Sequence, residues 1–404
     1  MKHIWIFNHH ALTPSMSGGT RHYDFAKELV KRGYKVSIFA SSFHYSQYKE
    51  LKVYTDEPYL FEEIDGINFI WIKTRPYRGN GIGRVWNMLE YMYKVQKIAN
   101  KTPDKPDVII GSSVHLFAVY AAYKVAKKQK IPFVMEVRDI WPQTLIDMGV
   151  FKWHPFILLL HALEKFLYKK SDKIITNLPY AYEHIQKFGI KKEDIVWISN
   201  GVDISRSKNI QAYMYNNNKF NVSYAGSLGQ ANQLDILVQA ASSLKDDNVE
   251  FHIIGNGVML EELEKIKTAN VHLYGALPKE EAISMMKGSD LLFFPLADSP
   301  VFKFGISSNK LFDYLASEKP VLFASNAKNN PIKEANAGIS IQAGSKQEII
   351  SAIHKLRQMD RKTLDGFGEN GLHYVSKHFS IPVLVDKLES CLSSLVYNVS
   401  KKER

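Results

Sequence analysis

Lys310 and Asp313 are the residues whose types and spacing first suggest chemistry. They stand in the segment Phe302-Lys303-Phe304-Gly305-Ile306-Ser307-Ser308-Asn309-Lys310-Leu311-Phe312-Asp313-Tyr314-Leu315-Ala316. Ser307 or Ser308 has the side chain of a helix N-cap, and the helix is predicted to run to about Ser317. A helix start presents N–H groups and partial positive charge, both of which attract phosphate. Gly305 just before it lets backbone approach a ligand closely. Lys310 adds a full charge in the first turn, and Asp313 follows on the same face about one turn later. That spacing suits a diphosphate held by Lys310 and a ribose diol held by Asp313. It equally suits an amphipathic helix with one surface ion pair.

A second segment, Met135-Glu136-Val137-Arg138-Asp139-Ile140-Trp141-Pro142, reads as an apolar strand ending in charge. In parallel α/β sheets ligands bind beyond the strand C-termini, so Arg138 and Asp139 are candidates for substrate contact. The competing reading is a buried Arg–Asp pair that fixes the strand end.

Short β-branched and aromatic runs alternate with helical patterns along the whole chain, which predicts parallel α/β units. In the first half strands are predicted near 4–8, 36–40, 67–72, 107–111, 133–137, 173–176 and 196–199; in the second, near 221–225, 250–254, 271–274, 291–295, 320–324 and 339–341. The first helix starts after Gly18-Gly19, carries Tyr23, Ala26, Leu29 and Val30 on one stripe, and stops at Gly33. The break between halves falls at Ser199-Asn200-Gly201-Val202-Asp203. The polar stretch from Ser205 to Lys219, with its Asn216-Asn217-Asn218 run, is expected to serve as a linker. A last helix is predicted from about Ile381 to Tyr397 and is expected to return to the first domain. The expected domains are therefore 1–200 with 381–404, and 201–380.

A length of 404 residues suits two such domains, and 45% hydrophobic residues suit a folded chain. No run approaches the roughly 18 apolar residues that span a bilayer. The N-terminus reads as a first strand rather than a secretory signal, and the single Cys391 fits a reducing compartment, so a cytoplasmic location is expected. The net charge of +11 is uneven: residues 1–200 hold 29 Lys and Arg against 19 Asp and Glu, whereas 201–404 hold 23 against 22. A basic first half implies an anionic partner there. Basic residues spread over helices without a recognition motif argue against nucleic acid.

In order and spacing these segments resemble family 4 glycosyltransferases, in particular a bacterial O-antigen and capsule subgroup that transfers N-acetylated, often deoxy, sugars of the fucosamine type. Ser17-Gly18-Gly19-Thr20-Arg21-His22-Tyr23, Leu29 through Lys35, Ile198 through Asp203, Tyr224-Ala225-Gly226-Ser227-Leu228, Ile253 through Gly257, Gly275-Ala276-Leu277-Pro278 and the Lys310 segment carry the resemblance. It implies a GT-B fold of two Rossmann-like domains facing across a cleft, and a retaining transfer from a nucleotide diphosphate, with UDP as the expected nucleotide. The expected acceptor is a polyprenyl-diphosphate-linked glycan. The resemblance gives Asp313 the nucleotide ribose, Gly305, Ile306, Ser307, Ser308 and Asn309 the donor sugar and phosphates, and Leu277 and Pro278 the base. Gly18 and Gly19 would approach the diphosphate; Gly226, Ser227 and Asn256 complete the expected donor contacts. His10 and Trp141 are assigned to the acceptor side, although a structural role for His10 is the alternative.

Two departures matter. Relatives often carry two glutamates across the donor site; here only the second has a counterpart, Asp313, and the first falls near Gly305. The frequent Arg and Lys after the first strand of the second half are Ser227 and Asn232, which makes Lys310 the expected main phosphate cation. Arg138 stands where many relatives have His, in a subgroup pattern RDxWP, and with Asp139 is expected to organise the donor sugar and the attacking hydroxyl. Asp139 or the leaving phosphate would serve as base. A departing diphosphate needs charge neutralisation from a metal or from Lys and helix dipoles. No D-x-D triplet occurs, and His9-His10 has no partner at metal-ligand spacing in sequence, so no metal cofactor is expected.

Gly79-Asn80-Gly81-Ile82-Gly83-Arg84 imitates a dinucleotide fingerprint but sits in a basic loop, so NAD is not expected. Two stretches, 84–101 and 151–173, combine apolar stripes with lysines and could address an anionic membrane from the first half, giving a peripheral location on the inner face; ordinary core helices are the alternative. Rival activities of the same fold are a nucleotide-sugar 2-epimerase and a non-catalytic nucleotide-sugar-binding protein.

Overall fold

The structure is a computed structural model that describes residues 2–16, 18–113, 115–215 and 218–402, the side chains of 396–402 excepted. Ser17 of the glycine loop and Asn216-Asn217 of the expected linker lie outside the described residues. The chain divides into two compact units, one of residues 1–199 with 381–404 and one of residues 200–380.

In the first unit the strands are β1 (His3–Phe7), β2 (Lys35–Ser41), β3 (Phe43–His44), β4 (Lys49–Glu50), β5 (Tyr59–Ile64), β6 (Ile67–Ile72), β7 (Val108–Ser113), β8 (Phe133–Val137), β9 (Lys173–Thr176) and β10 (Ile195–Trp197). Eight of them form one sheet in the order β10-β9-β8-β7-β1-β2-β6-β5. All neighbours are parallel except β5, which pairs antiparallel with β6. The central strands are buried on both faces, so they read as continuous apolar runs. Ile4, Ile6, Val36, Ile38, Val108 and Ile110 meet Tyr23, Phe25, Ala26 and Leu29 of the helix Arg21–Lys31 in one core. The helix Ile381–Lys402 adds Leu384, Val385, Leu388 and Leu392 to that same core. Arg32 ties it down from outside, through Asp386 at 2.7 Å and through Glu389.

The second unit holds β11 (Phe220–Ala225), β12 (Val249–Ile254), β13 (Val271–Leu273), β14 (Leu291–Pro295), β15 (Val321–Ala324) and β16 (Gly338–Ile341), in the order β13-β12-β11-β14-β15-β16 and all parallel. Both units are therefore Rossmann-like, and the chain has the GT-B fold.

Three expectations need correction. The hairpin β3–β4 and the strand β5 were not legible, since β5 (YLFEEI) is largely exposed and lacks an apolar face. The polar stretch after the break is no open linker. Ser205–Lys208 is a short helix, and the Tyr213 backbone N–H donates to Ser284 while its carbonyl packs so closely on Gly288 that a Cβ there would come within 2.1 Å. The helix carrying Lys310 is Asn309–Leu315 and ends two residues early, where Ser317 Oγ caps the Asp313 carbonyl.

Candidate functional site

The second unit builds its site from the C-terminal end of β11. Tyr224, the penultimate residue of that strand, donates its hydroxyl to the Ser227 carbonyl at 2.6 Å, which shapes the turn at Gly226. Asn232 Nδ2 donates to the same carbonyl at 3.0 Å. Lys310 reaches this turn from the helix Asn309–Leu315: its Nζ donates to Tyr224 Oη at 3.1 Å and to Asn232 Oδ1 at 2.9 Å. The ammonium also lies 4.4 Å and 4.6 Å from the ring centroids of Tyr224 and Phe294. Every partner is neutral, and no carboxylate of the described residues lies within ion-pair distance of it. Burial lowers the Lys310 pKa to about 7, because an ammonium removed from water without a counter-charge favours its neutral form.

Glycine at 226 and 255 is a steric demand. A Cβ on Gly226 would approach Lys310 Cδ to 2.8 Å, and one on Gly255, whose φ is +145°, would meet the Gly226 carbonyl oxygen at 1.8 Å. Asp313 is partly exposed and pairs with Lys279 at 3.6 Å. Lys279 opens the helix that follows Pro278, so the Leu277-Pro278 turn and the carboxylate belong to one neighbourhood. The Gly305–Ser307 backbone is less available than a helix start would suggest. Asn329 takes the Ile306 N–H at 2.7 Å and donates to its carbonyl, while Asn200 holds Ser307 through both Oγ and carbonyl.

In the first unit the strand ends are anchored by a buried network that sequence reading missed. Glu136, inside the apolar strand β8, accepts from Arg21 Nε at 2.9 Å and from Ser112 Oγ at 2.6 Å, and bonds His22 Nε2 at 2.6 Å. These partners hold its carboxyl well below the usual range against the pull of burial. His22 Nδ1 faces the Asn8 amide at 2.8 Å, and Asn8 Oδ1 accepts the backbone N–H of His10. The signal was present: a carboxylate within the strand Phe-Val-Met-Glu-Val has to find a cation.

Above this anchor stand His9, His10 and His115. His9 and His10 stack with centroids 4.3 Å apart, His9 Nδ1 bonds His115 Nε2 at 2.7 Å, and one potential ligand atom from each ring lies within 4.8 Å of the others. His115 follows the end of β7, a position that strand-end reasoning could have singled out. Arg138 and Asp139 follow β8, but no Arg138–Asp139 ion pair exists among the described residues. Asp139 is exposed at its surface, and desolvation by the surrounding protein raises its carboxyl pKa while Arg138 and Arg84 draw it back.

Residues 17–206 match the family described as Glycosyltransferase Family 4, and residues 219–359 match Glycosyl transferases group 1. The chain belongs to the glycosyltransferases. This transferase is 26% identical over 201 residues to an uncharacterized 41.2 kDa protein in the cps region of Klebsiella pneumoniae, covering 48% of this chain and 54% of that one. It is 24% identical over 175 residues to the putative colanic acid biosynthesis glycosyl transferase WcaI of Escherichia coli, covering 40% and 43%. The chain thus spans about half the length of the curated relatives it matches. Among solved structures it resembles a sucrose-phosphate synthase of Thermosynechococcus elongatus (TM-score 0.74, 13% identity, 98% of this chain and 100% of that one). It also resembles Anabaena HepE in complex with UDP and glucose (TM-score 0.69, 17% identity, 98% and 100%).

Within the transferase, then, Lys310, Gly226 and Ser227 converge with Tyr224 and Asn232, and Asp313 joins the Pro278 turn. Asn256 is exposed and caps Gly257 with its own Oδ1. Gly18 has φ +139° and a Cβ there would strike Leu12 Cδ1 at 2.4 Å, so local packing already demands glycine; Gly19 beside it is half-buried. Trp141 is half-buried, and its backbone N–H donates to the Asp139 carbonyl at 3.0 Å. No helix among the described residues is long and apolar enough to cross a membrane.

Proposed function

We propose that the second unit binds a nucleoside-diphosphate sugar, with the diphosphate on Lys310 and the ribose diol on Asp313, and that the enzyme passes the sugar with retention to a lipid-linked glycan of a surface polysaccharide. The observation that carries this reading is the Lys310 ammonium, desolvated among neutral acceptors beside a glycine turn. A buried cation without a counter-ion is costly in the empty protein and is stabilised by an anion that supplies the missing charge. As the sugar leaves, its anomeric C–O bond to the β-phosphate breaks and the electron pair stays on the phosphate, next to Lys310. The acceptor hydroxyl forms the new C–O bond, and its proton goes to the departing phosphate or to Asp139. Lys310 fills the electrostatic role that a divalent ion plays elsewhere, so the reaction is proposed to need no metal.

The nucleotide is proposed to be UDP, by analogy with the UDP complex of HepE. The sugar is proposed to be an N-acetylated hexosamine or deoxyhexosamine of the fucosamine type, carried to a polyprenyl-diphosphate-linked glycan. The colanic acid name of one relative and the cps region of another support a surface polysaccharide, O-antigen or capsule. A thermal-shift screen of UDP- and GDP-sugars, followed by transfer to lipid-linked acceptors, tests the reading. UDP-sugars should raise the melting temperature and give a longer glycan; no shift with any nucleotide sugar would overturn it.

A peripheral membrane seat is a second proposal, carried by one surface. Met148, Phe151, Trp153 and Leu159 are 57–68% exposed, and exposed Lys152, Lys165, Lys169 and Lys170 flank them. Apolar and aromatic groups beside lysines suit an anionic interface. The other stretch, 84–101, turns Met88 and Val95 into the core and leaves Trp86 and Tyr93 exposed. Co-sedimentation with vesicles containing phosphatidylglycerol should fall with added salt and be lost in L159E; salt-insensitive or absent binding refutes this seat.

A further inference from the structure

The three histidines of the first unit have a fixed proton pattern. His115 caps its helix by accepting the Ala118 N–H at Nδ1. Its Nδ1 therefore carries a lone pair, and the ring's single hydrogen sits on Nε2. That hydrogen is donated to His9 Nδ1 at 2.7 Å. His9 in turn carries its hydrogen on Nε2, and that atom is buried without a partner. Burial and neighbouring positive charge keep all three rings neutral, with His10 lowered to about 3.

Four further buried atoms lack partners: both ring nitrogens of His10, and the Nε of Arg84 and of Arg138, whose charges act on His10; among the described residues Arg84 otherwise donates only through Nη1, to Asn80 Oδ1 at 2.7 Å. His9 and His10 are themselves 1% and 8% exposed. Of the atoms with a settled hydrogen, every one is a donor, and two belong to guanidinium groups. Asp139 is the acid on which both Arg84 and Arg138 act, since Glu136 is already occupied by Arg21, His22 and Ser112. Two arginines against one carboxylate leave an excess positive charge. A divalent metal would need the lone pair of His9 Nδ1 or the displacement of the His115 hydrogen, and would sit beside two guanidinium groups. An oxyanion needs neither.

We propose that His9 Nε2, His10, Arg84 and Arg138 form an oxyanion-binding site in the first unit that takes a phosphoryl group. The site is independent of the reading of Lys310. Its phosphoryl group can come from a phosphorylated acceptor or from the nucleotide, and the test separates the two.

Calorimetric titration of the full chain with inorganic diphosphate, alone and with UDP present at saturation, reads the site, and the UDP titration itself reports on Lys310. Two saturable diphosphate sites are expected, one on Lys310 and one here, and the one here is weakened about tenfold or more in R84Q and in R138Q, each of which loses a charge-assisted hydrogen bond. Circular dichroism checks the fold of both variants, and R138K, which keeps charge but loses the guanidinium fork, gives an intermediate affinity. Binding that persists under UDP assigns the site to an acceptor phosphate; binding that UDP abolishes assigns it to the nucleotide. Diphosphate affinity unchanged in R84Q and R138Q overturns the proposal. So does zinc ion binding that is lost in H10A while diphosphate fails to bind.

Discussion

Replacing Lys310 by methionine keeps an unbranched side chain of similar shape, one atom shorter, and removes its charge, so it isolates what the ammonium does. In the empty protein burial brings the Lys310 pKa from 10.5 to about 7. At pH 8 only about one lysine in ten is then charged, and a diphosphate that needs the ammonium must recruit a proton, at a cost of about 1.4 kcal/mol. UDP affinity in the wild type should be highest between about pH 6 and 7 and fall about tenfold per unit above pH 8, where UDP itself, with its last phosphate pKa about 6, no longer titrates. Close to one proton, roughly 0.9, should be taken up on binding at pH 8, so the calorimetric enthalpy will depend on the ionisation enthalpy of the buffer. The K310M protein should bind UDP about 10- to 100-fold more weakly at pH 7, with no pH slope and no proton uptake.

The same substitution has the opposite effect on stability. A lysine whose folded pKa lies below its unfolded value penalises folding most below pH 7, and the penalty fades as pH rises from 7 to 10.5. Taken at face value the shift is worth up to about 5 kcal/mol; for a half-buried residue with two hydrogen bonds, about 2 is a fairer magnitude. K310M should therefore be more stable than wild type to urea at pH 6 and equal to it near pH 10.5. Identical UDP pH profiles in the two proteins, or a destabilised variant at pH 6, would refute the claim that an uncompensated ammonium waits for an anion.

E136Q leaves Arg21 buried without its counter-charge and should cost about 3–5 kcal/mol in urea unfolding; a loss below 1 kcal/mol would show that the Arg21–Glu136–His22 network is not what anchors the strand ends. G255A drives a Cβ into the Gly226 carbonyl. It should lower stability by about 2–4 kcal/mol and weaken UDP binding together, whereas normal UDP affinity in a stable G255A protein would separate that turn from the donor.

The fold was legible where burial is two-sided. β6, β8, β9 and β14 have the limits their sequence predicts, because a strand covered on both faces is dominated by apolar residues even where Asn68, Glu136 or Lys173 interrupts the run. The edge strand β5 failed for the converse reason. The second-unit site was half legible. Lys310 and Asp313 stand on one helix, and one-turn spacing is a local property, but Tyr224 and Asn232 lie 86 and 78 residues away, and although both stand in segments that the resemblance marks, nothing in the sequence pairs them with Lys310. The histidines show the limit most clearly. His9 and His10 lack a third ligand at any sequence spacing, yet β7 runs beside β1 and delivers His115 from 106 residues on. Strand order, which a single sequence does not state, made the cluster.

That cluster also explains why Glu136 is spent beneath it. Asn8 links the two: its amide faces His22, a partner of Glu136, and its carbonyl oxygen accepts the His10 N–H. Donors left unsatisfied in the empty protein would collapse onto any nearby carboxylate unless their backbone were held. Arg21 fulfils that holding role with its own charge fully matched, reaching Glu136 and the carbonyls of Ile198 and Ser199 at once. The matched arginine supplies rigidity, and the unmatched ones, Arg84 and Arg138, supply affinity. If so, a change at Asn8 that keeps Glu136 paired, N8A, should leave unfolding within about 1 kcal/mol of wild type and yet weaken diphosphate binding, because it loosens the orientation of His10 without touching a ligand-facing atom. An N8A protein with wild-type diphosphate affinity would show that the two layers are not coupled.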